Sequence, residues 1–214
     1  MKRSLFVILI LFLVISAFCL KTPAKAPAVL NSKACVLMDA STGRLLYAKD
    51  CDKPLAMAST TKIMTCILIL ENMDIDKEVT FDKEGSTTPK VRLGAAKGES
   101  FKARDLLYSL MLESHNDSAV VLARALCGNL SDFAALMNNK AKELGLKDTY
   151  FITPNGLDAK DYTDFHHTTA ADLALIMKYC ICDSPKKEEF SFTRLYLKIS
   201  INVKEISITK PISR

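Results

Sequence analysis

A short basic start, Met1-Lys2-Arg3, runs into eleven unbroken apolar residues, Leu5 to Ile15, and the apolar stretch continues to Leu20 with one serine in it. A stable membrane span needs about 20 such residues. Ala24-Lys25-Ala26 then supplies the small-x-small pattern of a signal cleavage site. Residues 1–26 therefore read as a cleavable export signal, with a retained membrane anchor as the other reading. This takes them out of the fold, leaves residues 27–214 to form the domain, and places the product in the cell envelope or outside the cell. Membrane contact is expected only through this leader.

Export permits disulfides, and Cys35, Cys51, Cys66, Cys127, Cys180 and Cys182 remain after the leader. Cys66 and Cys127 fall inside apolar helical patterns, where a thiol packs as a small hydrophobe. Cys180 and Cys182 have one residue between them, not the two of a redox or zinc motif. Free thiols and no metal are expected, since His115, His166 and His167 form no ligand spacing with them. The formal net charge is only +5, with no basic stripe interleaved with aromatics, which argues against nucleic acid as a partner. The scattered glycines make neither a phosphate loop nor a dinucleotide turn, and no cofactor is expected.

The apolar pattern after the leader alternates between periods of two and 3.6. Residues 34–49 read as a hairpin around the turn Asp39-Ala40-Ser41-Thr42-Gly43. A helix follows from about Ser59, with Ile63, Met64, Ile67, Leu68 and Leu70 on its apolar face. Residues 76–103 read as short strands at best. Helices are then expected from Asp105, from Asp117 to Leu126, from Ser131 to Gly145 and from Thr169, the first three polar residues acting as caps, with a loop over 149–168. Leu195, Leu197, Ile199, Ile201 and Val203 alternate with polar residues, as in one amphipathic strand.

Ser59-Thr60-Thr61-Lys62 places a hydroxyl and an amine one helical turn apart, on one face of a helix start. A neutral Lys62 there can take the Ser59 proton, the logic of a serine–lysine nucleophile pair. An ordinary N-cap serine is the other reading. Ser184-Pro185-Lys186-Lys187 and Ser207-Ile208-Thr209-Lys210 share the spacing, but only Ser59 opens an apolar helix. Ser114-His115-Asn116 forms a second polar cluster at the junction of two apolar helices. Thr153-Pro154-Asn155-Gly156 reads as a turn. No Gly-x-Ser-x-Gly elbow exists, so His166-His167 reads as a solvated pair ahead of a helix.

These residues carry a resemblance. Leu37-Met38-Asp39-Ala40-x-Thr42-Gly43 leading to Ala58-Ser59-Thr60-Thr61-Lys62-Ile63-Met64-Thr65, then Ser114-His115-Asn116-Asp117, Thr153-Pro154-Asn155-Gly156-Leu157-Asp158 and His167-Thr168-Thr169-Ala170-Ala171-Asp172 come in the order found in the low-molecular-mass penicillin-binding proteins. The chain resembles these serine-type D-alanyl-D-alanine carboxypeptidases over about residues 30–183. The resemblance implies an α/β, transpeptidase/β-lactamase-like fold, a mostly antiparallel sheet flanked by an all-helical cluster. It implies removal of the terminal D-Ala from peptidoglycan stem peptides through an acyl-enzyme, and acylation by β-lactams. By matching position Ser59 is the nucleophile, Lys62 its general base, Ser114 a proton relay and Asn116 a ligand of the substrate amide. The Ser59 backbone N–H supplies half of an oxyanion hole.

The family's third motif, Lys-Thr/Ser-Gly on a strand, is missing: Lys210 stands at a suitable distance but Pro211 and Ile212 follow it, and proline cannot donate to a central strand. The expected organisation is thus a leader at 1–26, an incomplete transpeptidase-like domain at 27–183 and a divergent β-prone tail at 184–214, as in a truncated product with weakened activity. Two alternatives stand beside the carboxypeptidase: a non-catalytic, exported, peptidoglycan-associated fragment, and a class A β-lactamase, which the lack of a Glu-x-x-Leu-Asn run disfavours.

Overall fold

A computed structural model of the protein describes residues 31–190. The leader, the alternating stretch 195–203 and Lys210 lie outside the described residues. The hairpin expected at 34–49 forms: β1 (Cys35–Met38) pairs antiparallel with β2 (Leu45–Lys49), with a register shift between Leu37 and Met38. Its turn is closed by the Asp39 carboxylate, which accepts from Ser41 N at 2.9 Å and Ser41 Oγ at 2.6 Å, and by Gly43 N donating to Asp39 O at 2.8 Å.

A 3-10 turn, Ala58–Thr60, leads into α1 (Thr61–Asn72), the central helix. All ten residues from Thr61 to Leu70 are buried, so α1 has no solvent face and its polar members need partners inside. Around it pack α3 (Ala103–Leu112), α4 (Asn116–Cys127), α5 (Leu130–Glu143) and α6 (Ala170–Lys178). A second antiparallel pair, β3 (Glu78–Thr80) with β4 (Ser100–Lys102), lies in the stretch expected to hold short strands at best. That stretch also holds a short helix, α2 (Lys83–Thr87), capped by the Asp82 carboxylate on Gly85 N at 2.8 Å. The described residues are therefore α/β, with two small antiparallel sheets and a dominant helical cluster.

The helix starts shift several expected caps. Thr169 does cap α6, accepting from Asp172 N at 3.0 Å. Asn129, not Ser131, caps α5, accepting from Asp132 N at 2.8 Å. Asp105 and Asp117 lie inside the first turns of α3 and α4, after Lys102 and His115. A cap is the last residue still extended, and Asn129 (φ −146°, ψ 167°) is that residue. The other end of α5 matches expectation: Gly145, at φ +71°, lets its own N–H reach Lys142 O and Leu146 N reach Ala141 O. No disulfide joins the cysteines among the described residues.

Packing continues past residue 183. Phe190 is 1% exposed within the core, and Ser184 Oγ donates to Glu71 Oε1 at 2.8 Å. Glu71, at the end of α1, also accepts from Tyr179 OH at 2.7 Å and pairs with Lys140 of α5 at 2.9 Å. Burial alone would raise the Glu71 carboxyl, but the Tyr179, Lys140 and Ser184 donors hold it below its ordinary value. Glu71→Ala leaves Lys140 with Glu143 at 3.2 Å and Tyr179 OH at 3.1 Å, but takes the acceptor from the Tyr179 and Ser184 hydroxyls. It is expected to lose about 2 kcal/mol of stability, read as a lower urea midpoint at neutral pH. The contribution of a carboxyl held low is present above its ordinary 4.5 and fades as the pH falls through the lowered value.

Candidate active site

Ser59 sits in the 3-10 turn, one residue before the cap of α1, so it is not an N-cap. The turn is tight: Ala58 has φ +45° and Thr60 Oγ1 donates to Met57 O at 2.5 Å. Lys62, in the first turn of α1, is 2% exposed, and its Nζ lies 3.0 Å from Ser59 Oγ. Two further acceptors hold the amine: Asn116 Oδ1 at 2.8 Å and the Asn155 carbonyl at 2.8 Å. Burial lowers the Lys62 pKa to about 8. Tetrahedral nitrogen geometry does the rest. With two N–H bonds committed to oxygens that can only accept, the remaining position of a neutral amine is a lone pair aimed at Ser59 Oγ.

Ser114, the middle residue of the α3–α4 connection, has a left-handed conformation (φ +60°) and donates to Ser59 Oγ at 3.0 Å. Asn116, at the start of α4, gives Oδ1 to Lys62, while Nδ2 makes longer contacts to the carbonyls of Lys90 (3.2 Å) and Pro89 (3.4 Å). The next residue, Asp117, takes the backbone N–H groups of Leu93 and Gly94, each at 2.9 Å, pinning that segment beside the cluster. All four residues singled out from the sequence, Ser59, Lys62, Ser114 and Asn116, are thus brought into one hydrogen-bonded group.

The loop 152–156 is more than the turn its sequence suggested. Asn155 O holds Lys62, and Thr65 Oγ1 donates to Pro154 O at 2.6 Å. Gly156 (φ +83°) lies so close to the serine turn that a Cβ there would fall 1.8 Å from Ala58 O. The histidine pair expected to be solvated is buried, His166 at 2% and His167 at 3% exposure. Backbone pairing sets them inward: residues 167 and 168 bond to Tyr150 and Leu55 on either side. His167 Nε2 lies 3.0 Å from Asp148. The signal that marks these residues in sequence is their place between polar landmarks, not their residue type. Elsewhere, an open depression of about 530 Å³ lined by Asp82, Lys83, Glu84, Thr87, Lys97 and Arg124 shares no residue with this group, and Arg124 there is matched by Asp82 and Glu84.

A serine in contact with a buried lysine that can lose its proton, and with a second hydroxyl beside it, is equipped for acyl transfer through a serine ester. The family model for D-alanyl-D-alanine carboxypeptidases matches residues 21–208, and the chain belongs to that family. It is 36% identical over 153 residues to the D-alanyl-D-alanine carboxypeptidase DacF of Bacillus subtilis, covering 69% of this chain and 38% of that one. It is 33% identical over 197 residues to DacC of Escherichia coli, covering 84% and 48%. Among solved structures, the carboxypeptidase DacD of Francisella tularensis matches with a TM-score of 0.71 at 30% identity, over 77% of this chain and 40% of that one. Penicillin-binding protein D2 of Listeria monocytogenes in its cefotaxime-bound form matches with a TM-score of 0.65 at 30% identity, over 74% and 65%. The chain spans about half the length of the curated relatives it matches. These relatives do not favour the β-lactamase alternative.

Proposed function

We propose that this chain is a serine-type D-Ala-D-Ala carboxypeptidase of the cell envelope, acting on peptidoglycan stem peptides and acylated by β-lactams. Ser59 Oγ attacks the carbonyl of the penultimate D-Ala as Lys62 takes its proton. Ser114 relays a proton to the departing D-Ala amine. Water then releases the acyl group from Ser59, with the same lysine as base. Asn116 keeps Oδ1 on Lys62 and turns Nδ2, whose carbonyl contacts are long, to the substrate amide. Residues 1–26 act as the export leader in this reading, ahead of the domain at 27–183 and the tail at 184–214.

The observation that carries the reading is the 3.0 Å contact between Lys62 Nζ and Ser59 Oγ, with both other lysine acceptors in place. Ser59 is expected to be the only serine that a β-lactam acylates, because Ser184, which shares the serine-x-x-lysine spacing, follows a helical segment and donates to Glu71 instead, and the sequence around Ser207 carries no apolar helical period. Intact mass and peptide mapping after treatment with a fluorescent penicillin test this. An adduct on any other serine, or none on Ser59, would overturn it.

A further inference from the structure

The imidazole of His166 has no part in the chemistry proposed above, yet it is buried between the two segments that hold Lys62. Its Nδ1 accepts the Ile152 N–H at 2.9 Å and, more weakly, the Thr153 N–H at 3.5 Å. A ring nitrogen that accepts carries no proton, so in the neutral ring the proton sits on Nε2, 2.8 Å from Thr61 Oγ1, which accepts it. Burial outweighs the opposing pull of the Asp158 carboxylate, with His167 adding to it, and brings the ring to about 4, so it is neutral at physiological pH.

One side of this ring holds the residue before Lys62. The other holds the backbone two to three residues before Asn155, whose carbonyl accepts from Lys62 at 2.8 Å. The ring itself cannot drift: His166 N donates to Ala159 O at 2.9 Å, and the following residues are paired to Tyr150 and Leu55. The contact from Thr65 to Pro154 closes the same gap one turn further along α1.

We propose that His166 is a positioning residue that sets the Lys62 amine: its ring spaces the 152–155 loop from the first turn of α1, fixes the Asn155 carbonyl on Nζ and keeps water from the amine. The inference rests on reading Lys62 as the base. The groups facing Lys62 (Ser59, Asn116 and the Asn155 carbonyl) are uncharged. Those acting on His166 are Asp158 and His167, the latter tied to Asp148. The Lys62 titration therefore reports how well the loop excludes water, and a role confined to overall stability would not move it.

The test uses the full 214-residue chain with two readouts: the rate of penicillin acylation against pH, and the Lys62 titration followed by NMR of isotope-labelled lysine. His166→Phe keeps an aromatic ring, somewhat larger than imidazole, and removes both ring nitrogens. It is expected to slow acylation at least about tenfold and to move the Lys62 titration up from about 8 toward the ordinary 10.5. His166→Gln offers an acceptor and a donor side by side, and is expected to stay within about threefold of the parent with its titration unmoved. A folded H166F with parental rate and titration overturns the proposal, as does an H166Q as damaged as H166F. Circular dichroism shows whether H166F folds. If it does not, Thr61→Val, which removes only the acceptor on Nε2, decides: an upward move supports the proposal and a parental titration overturns it. A parent that penicillin fails to acylate defeats the reading of the site as catalytic, while the lysine titrations still decide the role of His166.

Discussion

Lys62→Ala is expected to slow β-lactam acylation at least about a thousandfold while leaving the helical circular dichroism unchanged. Ser59 is a weak nucleophile at neutral pH, and among the described residues the only base in contact with its oxygen is the Lys62 amine. The amine works only when neutral. With its pKa near 8, about one lysine in ten is neutral at pH 7. Acylation of the parent should therefore climb roughly tenfold per pH unit below 8 and level off above it, a limb that K62A should lack. The fold tolerates the change for a related reason. Between about 8 and 10.5 the unfolded chain holds a proton on this lysine that the folded chain has released, so stability rises with pH through that window. Below it, removing a buried ammonium relieves desolvation, which offsets the packing lost. A K62A protein that is acylated at the parental rate would show that another group is the base.

Gly156→Ala is expected to be nearly as damaging, although the new methyl touches no group that reacts. The Cβ would fall 1.8 Å from the Ala58 carbonyl oxygen, 2.4 Å from its carbon and 2.9 Å from Thr61 Oγ1. Backbone atoms cannot rotate away as a side chain does, so the loop must lift off the serine turn and carry the Asn155 carbonyl from Lys62. A displacement of about 1 Å at a reacting pair costs on the order of a hundredfold in rate. The left-handed φ of +83° adds about 1–2 kcal/mol of strain for a residue with a Cβ. Gly145→Ala is the control. Its φ is +71°, but a Cβ there meets nothing within 4 Å. It should show the conformational destabilisation alone, with acylation intact. Equal acylation rates for G156A and G145A would refute the close approach.

The parts of the site legible in sequence are those held by one helix or one turn. Ser59 and Lys62 are three residues apart, so helical geometry alone brings them together, and Ser114 and Asn116 bracket a single turn. The Asn155 contribution was not legible, because a backbone carbonyl leaves no mark on residue type. His166 was misread for a similar reason. Its burial depends on residues 167 and 168 pairing with Tyr150 and Leu55, contacts that no local pattern encodes. In the fold, the hairpin and five of the six α-helices among the described residues follow from periodicity. The caps failed where several polar residues lie close together, since any of Asn129, Ser131 or Asp132 can serve by type and only the chain's turning point decides. The helix Lys83–Thr87 was missed because five residues give too short a stretch for an apolar period.

The two fixed acceptors of Lys62 come from far along the chain, Asn116 54 residues away and Asn155 93 residues away. On the proposed role of Lys62 as base, Ser59 reacts only when these remote segments have met, which makes it a sensor of completed folding. Partly folded chains could keep α1, and with it the Ser59–Lys62 pair, yet the amine would be wet, charged and unable to act as base. The fraction of chains labelled by a fluorescent penicillin during refolding should therefore lag behind the recovery of helix and coincide with tertiary assembly. On that basis the same reagent that reports activity would also count native molecules.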